Sequence, residues 1–279
     1  MPICTLHLLA LKEPADAQSY VQELQKSTKV ILASRPRHIV IHPTNLDTAP
    51  LATETWDLLL LLQPKPNTTE DPIPTSLRTA IKSEYKIPTG IPSKLITSYA
   101  TRNKVLQDKA SSIPLTGSLE RLLASGSKSS SQNLEISPSL VSFMDELSKT
   151  HPGPVTMLNL LHFQQPGGKQ SYYQYGQAFI PVAGKRGGDA KLVGNVVTPQ
   201  NDSKDASSSS RGAVAEEEWW NEISLVHYPS IRHFCDMLAG DDYQAINEKY
   251  RLSALRDTFL LCTTELNLEG VGTSTASKL

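Results

Sequence analysis

Pro154-Val155-Thr156-Met157-Leu158-Asn159-Leu160-Leu161-His162-Phe163 is an apolar run of strand length, and Pro2-Ile3-Cys4-Thr5-Leu6-His7-Leu8-Leu9-Ala10-Leu11 repeats it at an offset of 152. The register holds further on, where Gln18-Ser19-Tyr20-Val21-Gln22 falls on Gln170-Ser171-Tyr172-Tyr173-Gln174 without a gap. Beyond that it continues in outline, with Trp56-Asp57 opening one apolar strand and Trp220-Asn221 its counterpart. Three matches in the same order make an internal duplication the organising feature of the chain.

Each half reads as strand, helix, strand, strand, helix, strand. Alternation and apolar runs place strands of the first half near 3–11, 38–42, 56–63 and 95–100, with helices near 15–32 and 75–85. Those of the second half fall near 155–163, 191–197, 221–228 and 258–266. Its first helix, Ser171 to about Arg186, aligns Tyr172, Tyr175, Phe179 and Val182, is expected to kink at Pro181, and stops at Gly187-Gly188. Its second sets Ile231, Phe234, Cys235 and Leu238 on one stripe. This order is the split βαβ arrangement of ferredoxin-like domains, an α+β class. The expected division is 1–107 and 134–268 for the two domains, a flexible Ser/Lys/Gly-rich linker over 108–133, and a disordered tail over 269–279. Ser137 as N-cap with Pro138 at the first helical position opens a further helix lining up Leu140, Phe143, Met144 and Leu147, assigned to the second domain. Thr198 to Gly212 reads as a surface loop and Glu216-Glu217-Glu218 as a solvated loop end.

In the second half, the 154–163 strand, Tyr175-Gly176, Lys185-Arg186-Gly187-Gly188, Val226-His227-Tyr228-Pro229-Ser230, Phe234, Met237 and Tyr243-Gln244-Ala245-Ile246 together resemble a family of domains of unknown function in the dimeric α+β barrel superfamily. The match spans Gly153 to Glu265 and brings no established catalytic residue with it. The family pairs two single-domain chains face to face, so the resemblance implies that the two halves form that pair within one chain, an intramolecular pseudo-dimeric α+β barrel. The first half lacks the Arg-Gly-Gly turn and the Tyr-Pro-Ser junction, and joins the reading through the duplication.

Alternation along the first strands then nominates a cavity. With Cys4, Leu6, Leu8 and Ala10 on one side and Ile3, Thr5, His7 and Leu9 on the other, the uniformly apolar side is expected under the helices. That turns His7 and Asn159 into the space between the two sheets, facing each other across a pseudo-twofold axis, as candidate catalytic residues. His38 and His42 are expected on the same lumen, and His227 and Tyr228 at a cavity mouth, as candidate substrate contacts. Each has a plainer explanation, since a strand His or Asn is often satisfied by backbone or water. Tyr20, Tyr172 and Tyr175 lie at core spacing, and Arg251 and Arg256 are expected on nearby carbonyls or Asp257.

Composition bounds the partners. The 279 residues are 39% hydrophobic and 20% charged with a formal charge of −1, which argues against nucleic acid and anionic membrane surfaces. The longest apolar run, Leu58 to Leu62, is far too short to cross a bilayer. Cys4, Cys235 and Cys262 lack metal or disulfide spacing and read as buried thiols of a reducing compartment. No dinucleotide, phosphate-loop, zinc-protease or nucleophile-elbow motif occurs. His233, the one helical candidate for a haem ligand, is poorly placed, so neither cofactor nor metal is expected. Ser277-Lys278-Leu279 spells the tripeptide read by the peroxisomal import receptor, and Met1 to Leu11 has no basic leader pattern, so the expected location is the peroxisome matrix.

Three functional expectations stay open: a small-molecule enzyme without tightly bound cofactor acting on a hydrophobic, acyl or aromatic metabolite, with His7 as acid or base and Asn159 orienting an oxygen; a non-catalytic binder of such a molecule; and a structural or assembly protein acting through sheet edges, with pairing of whole chains into a homodimer possible.

Overall fold

The computed structural model describes residues 1–65, 71–125, 134, 136–197 and 219–268. The first half runs β1 (Ile3–Leu11), α1 (Ala17–Gln25), β2 (Lys29–Ile41), α2 (Thr48–Thr53), β3 (Leu58–Gln63), α3 (Thr75–Arg78) and β4 (Ile81–Gly90). After it come α4 (Ser93–Lys109), α5 (Ser118–Ser125) and α6 (Pro138–Thr150). The second half runs β5 (Val155–Phe163), α7 (Gly168–Gly184), β6 (Asp189–Val196), β7 (Glu222–Tyr228), α8 (Ile231–Leu238), α9 (Asp241–Ile246) and β8 (Leu255–Glu265).

The eight strands close into one antiparallel barrel in the order β1-β3-β2-β8-β5-β7-β6-β4. Each half contributes a ferredoxin-like sheet, β4-β1-β3-β2 and β8-β5-β7-β6. The two join along a long seam from Ser34↔Glu265 to Ile41↔Leu260 and a short one at Thr89↔Val196 and Gly90↔Asn195. The fold is therefore an α+β barrel built from two halves of a single chain.

The duplication reappears in hydrogen bonds. The Leu11 amide donates to Asp57 Oδ2 at 2.7 Å, and at the equivalent place the Phe163 amide donates to Asn221 Oδ1 at 2.7 Å. The Asp57 amide binds the Leu9 carbonyl at 2.8 Å as the Asn221 amide binds that of Leu161 at 2.8 Å. Asp and Asn occupy the same position because either supplies the side-chain oxygen that ends the strand pair.

Alternation runs opposite to the sequence expectation. Leu6 and Leu8 of β1, Leu59 and Leu61 of β3, Leu158 and Leu160 of β5, Ile223 and Leu225 of β7, and Phe259 and Leu261 of β8 form one buried cluster spanning both halves. Their odd or even neighbours pack outward, Leu9, Leu58 and Leu60 beneath α1, and Met157, Val226 and Leu260 beneath α7 and α8. The space between the sheets is thus the main apolar core, because an eight-stranded barrel is only wide enough for its own side chains to fill. Burial of each such side chain stabilises the barrel by about 1.5–3 kcal/mol.

Two elements of the first half correct the sequence reading. Thr75–Tyr85 is one helical turn followed by strand, since the chain from Ile81 to Gly90 pairs with β1 along its whole length, from Leu11↔Ile81 to Ile3↔Gly90. Leu95–Ala100 lies inside α4, which follows Pro92 and sends Ile96 and Tyr99 into the barrel cluster as an end cap. Beneath that cap the Lys191 ammonium pairs with Glu265 and donates to Asn103 Oδ1 at 2.9 Å and Thr156 Oγ1 at 3.0 Å.

The first part of the expected flexible linker is built into the fold. Asp236 of α8 accepts from the Thr116 amide at 2.8 Å, its hydroxyl at 2.6 Å and the Leu119 amide at 3.1 Å, which fastens α5 to α8. Residues 126–133, the loop from Thr198 to Gly212, Glu216 to Glu218 and the tail with Ser277, Lys278 and Leu279 lie outside the described residues. As expected, the Ser137 hydroxyl caps α6, accepting from the Leu140 amide at 3.1 Å. The Arg-Gly-Gly turn and the Tyr-Pro-Ser junction touch one another. Gly187 has φ +70°, and a Cβ there would sit 2.6 Å from the Pro229 ring, so glycine is needed for both conformation and space.

Candidate functional site

A cavity of about 480 Å³ lies between α7 and the outer face of the second-half sheet. Its floor comes from alternate positions of neighbouring strands, Met157 and Asn159 on β5, and Glu222, Ser224, Val226 and Tyr228 on β7. Asn159 and Ser224 are direct cross-strand partners, so two short polar side chains stand together beside Glu222 in a floor completed by Met157, Val226 and Tyr228. The wall is an aromatic ladder in which Phe163 and Tyr172, Tyr172 and Tyr175, and Tyr175 and Phe179 have ring centroids 5.4, 5.2 and 5.6 Å apart. Its last three members recur at three- or four-residue spacing on one face of α7. Gly176, on the same helix, lines the cavity and leaves open space where a side chain would project. At the mouth, Tyr173 and Ile180 are 68% and 64% exposed.

Burial governs the electrostatics. It pushes the Glu222 carboxyl up to about 7, with Lys169 pulling the other way, so the group exchanges a proton near neutrality. Burial also raises the hydroxyls of Tyr172, Tyr175 and Tyr228, which therefore stay protonated as donors. The Tyr175 hydroxyl donates to that of Tyr243 at 3.4 Å, and the Tyr228 hydroxyl reaches Met237 Sδ at 3.4 Å. A partly protonated carboxyl, an amide and a hydroxyl on one floor can bind an oxygen function and move a proton at it.

Of the residues nominated from sequence, Asn159 and Tyr228 come together here, and the others do not. Asn159 faces the helix side and not the lumen, because the leucines on its flanks fill the barrel. His7 likewise turns outward, on the opposite side of the molecule, so the pair never face each other. His7 is fully buried, its Nδ1 donating to Glu84 Oε1 at 2.7 Å and its Nε2 accepting from the Thr5 hydroxyl at 2.7 Å. Burial lowers its pKa against the pull of Glu84, which keeps the ring neutral. Arg78 holds Glu84 from the far side at 2.8 Å; despite burial, these partners bring the Glu84 carboxyl down to about 2.

His38 also misses the lumen. Irregularities in β2 between Pro36 and His38 and between Ile39 and Ile41 break the alternation, and His38 stacks on Phe143 of α6 with centroids 4.4 Å apart. His42 is exposed. His227 does face the barrel interior, near Lys191 and Glu265, and burial with the Lys191 charge lowers its pKa to about 4. It lies across the sheet from the cavity. His233 donates from Nε2 to the Ile113 carbonyl at 3.0 Å and accepts from the Ser230 hydroxyl at Nδ1, a structural role. Asp257 accepts the amides of Thr44, Asn45 and Leu46. Among the described residues no group of three or more His, Cys, Asp and Glu is placed to hold a metal ion, and no helix is long and apolar enough to cross a membrane.

Sequence reasoning overlooked Glu222, Ser224 and Arg251 as cavity residues. The signal lies in β7, where Glu222, Ser224, Val226 and Tyr228 share a face, but alternation alone does not say which way that face looks.

No known protein family and no curated protein matches the chain. Among solved structures, a protein of unknown function from Rhodopseudomonas palustris aligns over 48% of this chain and 97% of its own at 21% identity, TM-score 0.34. A candidate monooxygenase from Lactobacillus acidophilus aligns over 95% of this chain and 93% of its own at 7% identity, TM-score 0.45. Another, from Fusobacterium nucleatum, aligns over 100% and 98% at 8% identity, TM-score 0.43. The fold assignment rests on the strand order, and the family resemblance on the residues quoted above.

Proposed function

We propose that this chain is a small-molecule enzyme without a tightly bound cofactor, which holds a hydrophobic acyl or aromatic metabolite in the cavity under α7 and uses Glu222 as its acid or base. The observation that carries the reading is a carboxyl whose pKa burial brings to about 7 inside a cavity of about 480 Å³, beside Asn159 and Ser224. Glu222 thus takes the role the sequence had suggested for His7, and Asn159 keeps the role of orienting an oxygen. The setting proposed is the peroxisome matrix, reached through the import receptor and Ser277-Lys278-Leu279. An assembly role through sheet edges is less favoured, because the barrel joins both ends of each sheet in its two seams.

Hydrophobic metabolites are screened for thermal stabilisation of the protein, and each binder is then tested for turnover. Glu222→Gln is expected to bind the same compounds and lose turnover by roughly 100-fold or more. Full turnover in that variant refutes the assignment of Glu222. Binders that yield no product with the unaltered protein make it a carrier. A fluorescent fusion lacking the last three residues is expected to leave the peroxisome, and unchanged location refutes that part.

A further inference from the structure

The cavity contains a charge that the reading above leaves unused. Asn247–Arg251, between α9 and β8, forms one wide helical turn in which the Leu252 amide donates to the Asn247 carbonyl at 3.1 Å, a span of five residues. Such turns interrupt regular hydrogen bonding and redirect side chains, often at functional positions. Here the turn carries Arg251 inward. Its side chain is 2% exposed, it lines the cavity, and among the described residues its Nη2 has no hydrogen-bond partner.

The other charges on the cavity are compensated. Arg102 of α4 pairs with Asp189 at 2.5 Å, and Lys169, on the exposed rim, donates to Asn195 Oδ1 at 3.2 Å and opposes Glu222. The positive field of Arg251 reaches Tyr172, Tyr175, Tyr228 and Tyr243, hydroxyls that stay neutral and supply no counter-charge. A guanidinium withdrawn from water without an anion costs several kcal/mol, and one that lines a cavity with an unsatisfied Nη2 can take an acceptor from a bound molecule. One unbalanced positive charge calls for one negative charge, and the planar edge of guanidinium matches a carboxylate.

We infer that the ligand of this cavity is a hydrophobic monocarboxylate whose carboxylate is held by Arg251 and whose apolar body lies along the Phe163, Tyr172, Tyr175 and Phe179 ladder. This rests on the cavity being a ligand site, as proposed above, and adds the class of molecule. Arg251 and Glu222 line the same cavity and both act on Tyr172, so an acid anchored at Arg251 shares the chamber with the proton-transferring carboxyl.

Titration calorimetry with matched pairs tests it, using 2-naphthoate against 2-naphthalenemethanol and decanoate against decanol, on the full chain and on Arg251→Gln and Gly176→Leu. In the unaltered protein at least one acid is expected to bind roughly tenfold or more tightly than its alcohol. Arg251→Gln removes that preference while leaving the alcohol's affinity within about twofold, which also reports an intact fold. Gly176→Leu, filling the open space on α7, abolishes binding of both members. Equal affinity of acid and alcohol in the unaltered protein, or an acid preference that survives Arg251→Gln, overturns the inference while the cavity reading stands. Tighter binding of decyl phosphate than of decanoate overturns the choice of carboxylate. Failure of every probe to bind, or binding indifferent to Gly176→Leu, overturns the cavity reading and the inference with it.

Discussion

Glu222→Gln should make the protein more stable above neutrality and leave it unchanged in acid. In the folded chain burial raises this carboxyl from 4.5 to about 7, so the folded state holds a proton that the unfolded state has released between those values. Its contribution is therefore fully present below pH 4.5 and lost as pH rises through 7. At about 1.4 kcal/mol for each pH unit, the loss approaches about 3.5 kcal/mol, and about 2–3 kcal/mol after allowing for partial solvent access. Glutamine keeps the shape and polarity of the neutral carboxyl and cannot ionise. Urea denaturation of both proteins at a series of pH values from 4.5 to 8.5 gives a difference in which every other titrating group cancels. That difference should grow from near zero to about 2–3 kcal/mol, or roughly 5 °C in midpoint temperature at pH 8. A difference that is flat across the series would refute both the shift and the proton-transfer role built on it.

His7→Ala should cost about 2–4 kcal/mol in urea denaturation, from the emptied volume and the bond withdrawn from Glu84, and leave ligand binding under α7 unaltered; a loss of binding would tie the two halves together functionally. Lys191→Met should cost about 3–5 kcal/mol because Glu265 is left buried without its cation, and adding Glu265→Gln should recover most of that; a single variant within 1 kcal/mol of the parent would contradict the buried pair. Cys4, Cys235 and Cys262 are all buried, with burial raising the Cys4 thiol to about 11 and the other two further, so a disulfide reagent at pH 8 should find no reactive thiol until denaturant is added.

The strand pattern of 154–163 and its echo at 2–11 are enough to read the duplication and the α+β class, because apolar alternation and register are written locally, while the pairing of the halves follows from the family resemblance. Which face looked inward was not readable that way. Both faces of β1 and β5 are largely apolar, interrupted by Thr5 and His7 in one and by Thr156, Asn159 and His162 in the other, and only closure of eight strands, a global property, decides that Leu6 and Leu158 fill the interior while His7 and Asn159 lie under helices. The α4 cap was missed for a related reason. Leu95 to Ala100 is short and apolar enough to pass for a strand, and its helical state is fixed by docking of Ile96 and Tyr99 on the barrel end. Asn159 and Tyr228 could be nominated from sequence because strand position alone singles them out. Arg251 could not, since its inward course depends on a five-residue turn whose geometry leaves no mark in composition.

Covalent fusion of the two sheets has a further outcome. In a symmetric pair of identical chains any substitution appears twice, so both chambers must change together. Here they are free to differ, and they do: one side carries a histidine bound at both ring nitrogens, while the equivalent position on the other is an amide lining a cavity. A protein of this design can specialise one compartment for chemistry and devote the other to rigidity.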